Sequence, residues 1–259
     1  PPVDEYQRAV CYKRFLSENK PFEVTYTFEN RVKFVDPFKD TPHIVYPSAI
    51  PPCADDLAES GAYIRFTPYL RALAADLAKG ETTPVGKAWK FYEFVTTKVK
   101  YSFMRDYFQV DNLGEYCAVN LKGDCGLQAL LFIILCRIAG IPARWQSGMS
   151  IDEDYVGSHD WAQFYLEGWG WLFCDPSYGG GAYRNGSAER HAFYFGNLDP
   201  MRLVANREYQ ARLVPEMHAL RVDPYDNQSG EMERIGAELA FTGRQLDGDA
   251  ELVECVDLD

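Results

Sequence analysis

Hydrophobic and polar positions along the chain set out the expected elements one after another. Asp4 to Leu16 reads as a short helix. Phe22, Val24, Tyr26 and Phe28 alternate with Glu23, Thr25 and Thr27, which is strand periodicity, and Arg31 to Val35 is the expected partner strand. Residues 36–62 hold five of the fifteen prolines and read as an irregular wrap. Two helices follow with the same start signal. Thr67-Pro68 and Thr83-Pro84 each put a capping hydroxyl before a first-turn proline. The first carries Leu70, Leu73, Ala74 and Leu77 on one face and stops at Gly80. The second carries Ala88, Phe91, Val95 and Val99. Arg105 to Asn120, rich in tyrosine and phenylalanine, reads as a loop.

The strongest helix signal comes next. Asp124 is an expected N-cap, the run from Leu127 to Ile138 is apolar nearly all round, Gly140 fits the position past the end, and Pro142 prevents continuation. This predicts a helix over about 125–139, buried on most sides. Strand and turn patterns follow at Ala143 to Ser147, His159 to Leu166 and Trp169 to Cys174. The glycine-rich stretch 179–186 reads as a loop, either a lid or a plain connection. Ala192 to Phe195 and Leu203 to Ala205 are further strand expectations. The pattern as a whole is α+β. It divides into an N-terminal extension over 1–62, a core over 63–221, and a C-terminal segment over 222–259 packed on that core.

Composition narrows the function classes. The chain of 259 residues is 47% apolar and 25% charged, too apolar for bulk disorder. Its longest apolar run, Leu130 to Cys136, falls far short of the ~18 residues a membrane span needs. Of the net charge of −12, −9 lies in 222–259, where eleven acidic residues meet only Arg234 and Arg244. That end reads as a solvated face, and no basic stripe for nucleic acid is visible. The seven cysteines show no Cys-x-x-Cys and no regular spacing, so a zinc ribbon or disulfide framework is not expected. An odd cysteine count and the lack of a leader pattern lean toward a reducing, cytoplasmic setting.

One cysteine stands apart. Cys125 falls at the first helical position, where unpaired N–H groups and the helix dipole favour a thiolate. Gly123 and Gly126 beside it allow close backbone approach. Of the four histidines, His159 alone opens a clear alternating strand downstream of that helix. With Leu166-Glu167-Gly168 as a three-residue hairpin loop, Tyr165 faces Trp169, Trp161 faces Phe173, and His159 faces Asp175. A nucleophile, a histidine and a carboxylate then form a Cys–His–Asp arrangement: Cys125 attacks, His159 moves the proton, and Asp175 orients the imidazole. The Cys125 backbone N–H is the expected oxyanion donor, with Tyr116 or Asn120 as side-chain candidates. A zinc site of Cys117, Cys125, His159 and Asp175 is the metal alternative, disfavoured by its spacing. No metal and no cofactor is expected. Asp160 is expected on the opposite side of its strand from His159, Cys174 in the core, His191 on the surface, and the aromatic cluster of Trp145, Trp161, Trp169, Trp171 and Phe173 mostly in sheet packing.

Three blocks carry a family resemblance. They are Lys122-Gly123-Asp124-Cys125-Gly126 with Gly140 to Gly148 behind it, Ser158-His159-Asp160-Trp161 with its strand to Tyr165, and Gly170 to Ser177 containing Asp175-Pro176. In order and spacing these resemble the transglutaminase-like superfamily, over about residues 65–215. Phe195 to Pro200 and Asp223 to Gly230 are similar to its bacterial and archaeal members. The resemblance implies a papain-like fold, with a central helix bearing the thiol and a small antiparallel sheet bearing the other two groups. It further implies thiol-based acyl transfer at an amide of a peptide or protein substrate, with Cys125, His159 and Asp175 as the catalytic set. Water as acceptor gives hydrolysis and is the favoured expectation. An amine acceptor gives protein cross-linking, and a binding module that keeps the fold without catalysis is the alternative from another class.

Overall fold

The computed structural model describes residues 32, 34–40, 52–60, 63–104, 107–151, 156–210, 213, 216–218, 220–221, 225–226 and 228. The helix expected over 4–16, the strand over 22–28 and nearly all of the acidic segment lie outside the described residues. Of the strand expected over 31–35, positions 32, 34 and 35 are described, and none is in a strand. The chain forms two compact units. One comprises Val32–Gln146 and His159–Asp199. The other contains, among the described residues, 147–151, 156–158 and those from 200 onward.

In the larger unit the two Thr-Pro signals start the expected helices, α1 (Pro68–Leu77) and α2 (Pro84–Lys98). The Thr67 and Thr83 side chains accept from the backbone N–H groups of Leu70 and Gly86. Ala88, Phe91, Val95 and Val99 are all buried, as their spacing requires. The stretch read as a loop before the cysteine is instead a 3₁₀ turn (Tyr107–Gln109) and a helix, α3 (Leu113–Asn120). Asn112 caps α3, its side chain accepting from the Glu115 N–H. Leu121 ends it in the left-handed region with φ 51°. Two short parallel strands, β1 (Lys100–Tyr101) and β2 (Lys122–Gly123), pair immediately before the cysteine helix.

That helix, α4 (Cys125–Ile138), is capped by Asp124, and every residue from Cys125 to Arg137 is buried. It packs against α1, α2, α3 and one later helix, which explains why a sequence apolar on all sides is stable there. Each fully buried leucine, isoleucine or phenylalanine contributes roughly 1.5–3 kcal/mol.

Strands β3 (Ala143–Ile151), β4 (Val156–Leu166), β5 (Gly170–Cys174) and β6 (Phe195–Gly196) run in the spatial order β6-β5-β4-β3. Phe164 of β4 meets Phe132 of α4 edge-on, with ring centres 5.7 Å apart, so the even-numbered side of β4 faces the helix. The β4–β5 hairpin pairs Tyr165 with Trp171 and Gln163 with Phe173. The expected register is therefore corrected by two residues. The loop is Glu167-Gly168-Trp169, one residue later than expected, and Gly168 takes φ +83°. A shift of two keeps every side chain on its predicted face, because strand periodicity is also two.

The glycine-rich stretch is corrected from loop to helix. It forms α5 (Pro176–Arg184), capped by Asp175, and the next segment forms α6 (Ala188–Phe193) before β6 begins. Gly179 shows why glycines sit in a helix: a Cβ there would lie 1.9 Å from the Tyr92 hydroxyl of α2. In the smaller unit, β7 (Arg202–Asn206) pairs antiparallel with the far end of β3, from Ser147 opposite Asn206 to Ser150 opposite Arg202, with an irregularity between Ser147 and Gly148. Among the described residues no helix is long and apolar enough to cross a membrane.

Candidate active site

Cys125 opens α4 directly after its cap. Asp124 Oδ1 accepts from the Leu127 N–H at 3.1 Å and from the Tyr107 hydroxyl at 2.7 Å. Burial pushes the Asp124 carboxyl up from its ordinary range, against the lowering effect of those two donors. Gly126 lets the neighbouring side chains close in. A Cβ there would lie 2.3 Å from the Tyr107 hydroxyl, 3.1 Å from Asp160 Oδ2 and 3.2 Å from the Trp145 ring. The Cys125 side chain is itself nearly covered, at 9% exposure, which still leaves it within reach of solvent.

His159 and Asp175 are brought together by the β4–β5 hairpin. His159 Nε2 lies 2.8 Å from Asp175 Oδ2, with both residues buried. Asp175 Oδ1 accepts from the Tyr178 N–H at 2.9 Å, so the same carboxylate caps α5 and meets the imidazole. Its own N–H donates to the Tyr194 carbonyl at 3.0 Å. The His159 ring is flanked by Tyr178, with ring centres 4.7 Å apart, and by Trp161 at 5.9 Å. Trp161 is fixed in turn by donating to Gln146 Oε1 at 2.6 Å.

Asp160 is the site residue that sequence reasoning set aside. The Cys125 thiol donates to its Oδ2 at 3.4 Å, and Asp160 is buried. The signal for it lay in strand parity. Asp160 belongs to the series Ala162, Phe164 and Leu166, all buried, and a carboxylate in such a series requires a polar partner on the helix it faces.

Other expectations fall on both sides. Cys174 is fully buried, as expected, and burial pushes its thiol well above the ordinary range, as it does for Cys117 and Cys136. Trp145, Trp161, Trp169 and Trp171 are buried, and the Arg144 guanidinium lies 3.9 Å over the Trp171 ring. His191 is corrected from surface to core. It is buried on α6, its Nε2 lies 2.8 Å from Thr96 Oγ1, and its ring stacks on Tyr92. The oxyanion candidates lie on α3, where the exposed Asn120 amide donates to the Tyr116 carbonyl at 2.8 Å. Among the described residues no group of three or more histidine, cysteine, aspartate or glutamate side chains is arranged to hold a metal ion.

A capped helix presenting a thiol at its first position lies against an antiparallel sheet that bears a His–Asp pair, which makes this an α+β protein. Residues 71–176 match the model of the transglutaminase-like superfamily, and the resemblance drawn from the three sequence blocks stands on that match. The matched segment contains Cys125, His159 and Asp175. Among solved structures the chain is similar to a "putative cysteine protease" from Cytophaga hutchinsonii, at 24% identity and a TM-score of 0.41, over 48% of this chain and 41% of that one. It is also similar to the periplasmic domain of TgpA from Pseudomonas aeruginosa, at 20% identity and a TM-score of 0.41, over 52% and 50%. The chain thus spans half or less of the length of each. No curated protein matches it.

Proposed function

We propose that the protein is a thiol-dependent acyltransferase acting on amide bonds of peptides or proteins, with Cys125 as nucleophile, His159 as acid and base, and Asp175 as the group that orients the imidazole. The observation that carries the reading is the 2.8 Å contact of His159 with Asp175 in the same matched segment as a helix-start cysteine.

The chemistry follows from the roles. Cys125 Sγ attacks the amide carbonyl carbon as its proton passes to His159. The oxyanion faces the N–H groups at the start of α4, among them that of Cys125. His159 returns the proton to the departing amine, leaving a thioester on Cys125. Water, deprotonated by His159, attacks the thioester and releases a carboxylic acid, restoring the thiol. An amine in place of water would give a new amide instead. Asp175 stays ionised and stabilises the charged imidazole in both half-reactions. Peptide hydrolysis is the reading put forward, and the identity of the acceptor is what the experiment decides.

The test is a mass-spectrometric screen of peptide mixtures with and without a primary amine. Wild type is expected to produce cleavage products, and Cys125→Ala to produce none while melting near wild type, since alanine suits the first turn of a helix. Cys136→Ala should keep turnover and lose about 1 kcal/mol of stability. Amine-dependent mass gains without cleavage would replace hydrolysis by cross-linking. Full turnover in Cys125→Ala would overturn the reading.

A further inference from the structure

Helices α5 and α6 line a half-open pocket of about 340 Å³ that the matched segment does not include. Its walls carry Ser177 and Tyr178 from the first turn of α5, and Asn185, Ser187 and Arg190 from the connection and α6; Gly181 forms part of its floor. Tyr178 belongs to this pocket and to the catalytic neighbourhood at once. Its ring lies 4.7 Å from that of His159, and its backbone N–H holds the Asp175 carboxylate.

Arg190 is the one charged side chain lining the pocket. It is exposed, its guanidinium donates to the Tyr194 hydroxyl at 3.5 Å, and that hydroxyl donates to Asp199 Oδ2 at 3.2 Å. Among the described residues Arg190 forms no direct ion pair, so most of its five N–H donors are open to a ligand. Ser187 Oγ accepts from the Arg190 N–H at 3.4 Å, which leaves its own O–H to donate. With the Ser177 hydroxyl and the Asn185 amide, the pocket offers a cation and neutral donors but no lining carboxylate. That donor set suits a planar anion held by a guanidinium fork.

We propose that this pocket is a substrate subsite that recognises a carboxylate, with Arg190 as its specificity-determining residue. The carboxylate is an acidic side chain or the free C-terminus of the peptide whose amide reaches Cys125. The inference rests on the acyl-transfer reading for its role in turnover, but not for binding itself. A ligand seated against Tyr178 lies one aromatic ring away from His159, within the span of a neighbouring peptide residue.

The test uses the Cys125→Ala protein, which is expected to bind without turning over, and three peptide series. The first varies glutamate against glutamine at each position, the second pairs a free C-terminal acid with its amide, and the third contains neither acid. Affinity is read by calorimetry or fluorescence anisotropy. Acid-bearing peptides are expected to bind about tenfold more tightly than their neutral partners, the range for one charge-assisted contact in a half-open pocket. The series that shows the preference identifies the source of the carboxylate. Arg190→Gln in the same background should erase the preference. Gly181→Leu should also reduce it, because Gly181 lines the pocket and a Cβ there meets no atom within 4 Å, so a side chain at this position takes up space the ligand would use. Equal binding of acids and amides, or a preference that survives Arg190→Gln, overturns the subsite. Cys125-dependent turnover with no acid preference would defeat the subsite alone. Acid preference in a protein whose turnover survives Cys125→Ala would defeat the assigned nucleophile alone.

Discussion

Asp175 places two demands on one carboxylate. Oδ2 meets His159, and Oδ1 caps α5 through the Tyr178 N–H. These demands separate in variants. Asparagine caps a helix about as well as aspartate, so Asp175→Asn should melt close to wild type. It should nonetheless lose roughly 10²–10⁴-fold in single-turnover rate, because a neutral amide does not stabilise a charged imidazole. Asp175→Ala loses the cap as well and should cost about 1 kcal/mol more by chemical denaturation. Wild-type melting of Asp175→Ala would show that the carboxylate does not cap α5, and wild-type rates in both variants would show that it does not serve the imidazole. Asp160 makes the opposite contribution next to the sulfur. A carboxylate 3.4 Å from Sγ disfavours the thiolate by like-charge repulsion and accepts a hydrogen bond from the thiol. Asp160→Asn keeps the shape and removes the charge, so iodoacetamide should modify Cys125 faster at pH 6 than in wild type. An unchanged or slower rate would remove Asp160 from the account.

The elements show which signals are local and which depend on packing. Thr67-Pro68 and Thr83-Pro84 start helices where their pattern says. Asp175-Pro176 carries the same cap-and-proline signal, yet Gly179, Gly180 and Gly181 argue against a helix, each costing about 1 kcal/mol relative to alanine. The helix forms because the glycines let α5 lie against α2, with Gly179 over Tyr92. This is packing overriding propensity, and single-segment periodicity does not contain it. The same packing makes His191 a core residue of α6. Burial lowers its pKa below the ordinary value of 6.5, opposed only by Glu93. The unfolded chain therefore takes up this proton first as pH falls. The stability it contributes is complete above about pH 6.5 and is lost as pH drops toward the folded value. Between pH 7.5 and 5.5 the melting temperature should fall more steeply in wild type than in His191→Gln. Parallel slopes would contradict a neutral, buried His191.

At the scale of the molecule, the apolar α4 and the hairpin do most to locate the site, and both are legible in sequence. Leu127 to Ile138 can be satisfied only by surrounding elements, and four helices supply them. The faces of His159 and Asp175 follow from parity alone, so a loop misplaced by one residue at each end changed their offset and not their side. Less legible was what reaches the sulfur from the sheet. Asp160 follows from knowing which face of β4 meets α4, and the helices beyond Asp175 follow from contacts across the fold. The most direct test of the central claim needs no substrate. Wild type and His159→Ala would be treated with iodoacetamide at pH 6, and each cysteine followed by peptide mass spectrometry. Cys125 is expected to be modified in wild type and to react about tenfold or more slowly in His159→Ala. Cys117, Cys136 and Cys174 should stay unmodified in both, because burial raises their thiols. Equal rates at Cys125 in the two proteins, or no modification of it in wild type, would contradict the assignment of Cys125 and His159 as nucleophile and base.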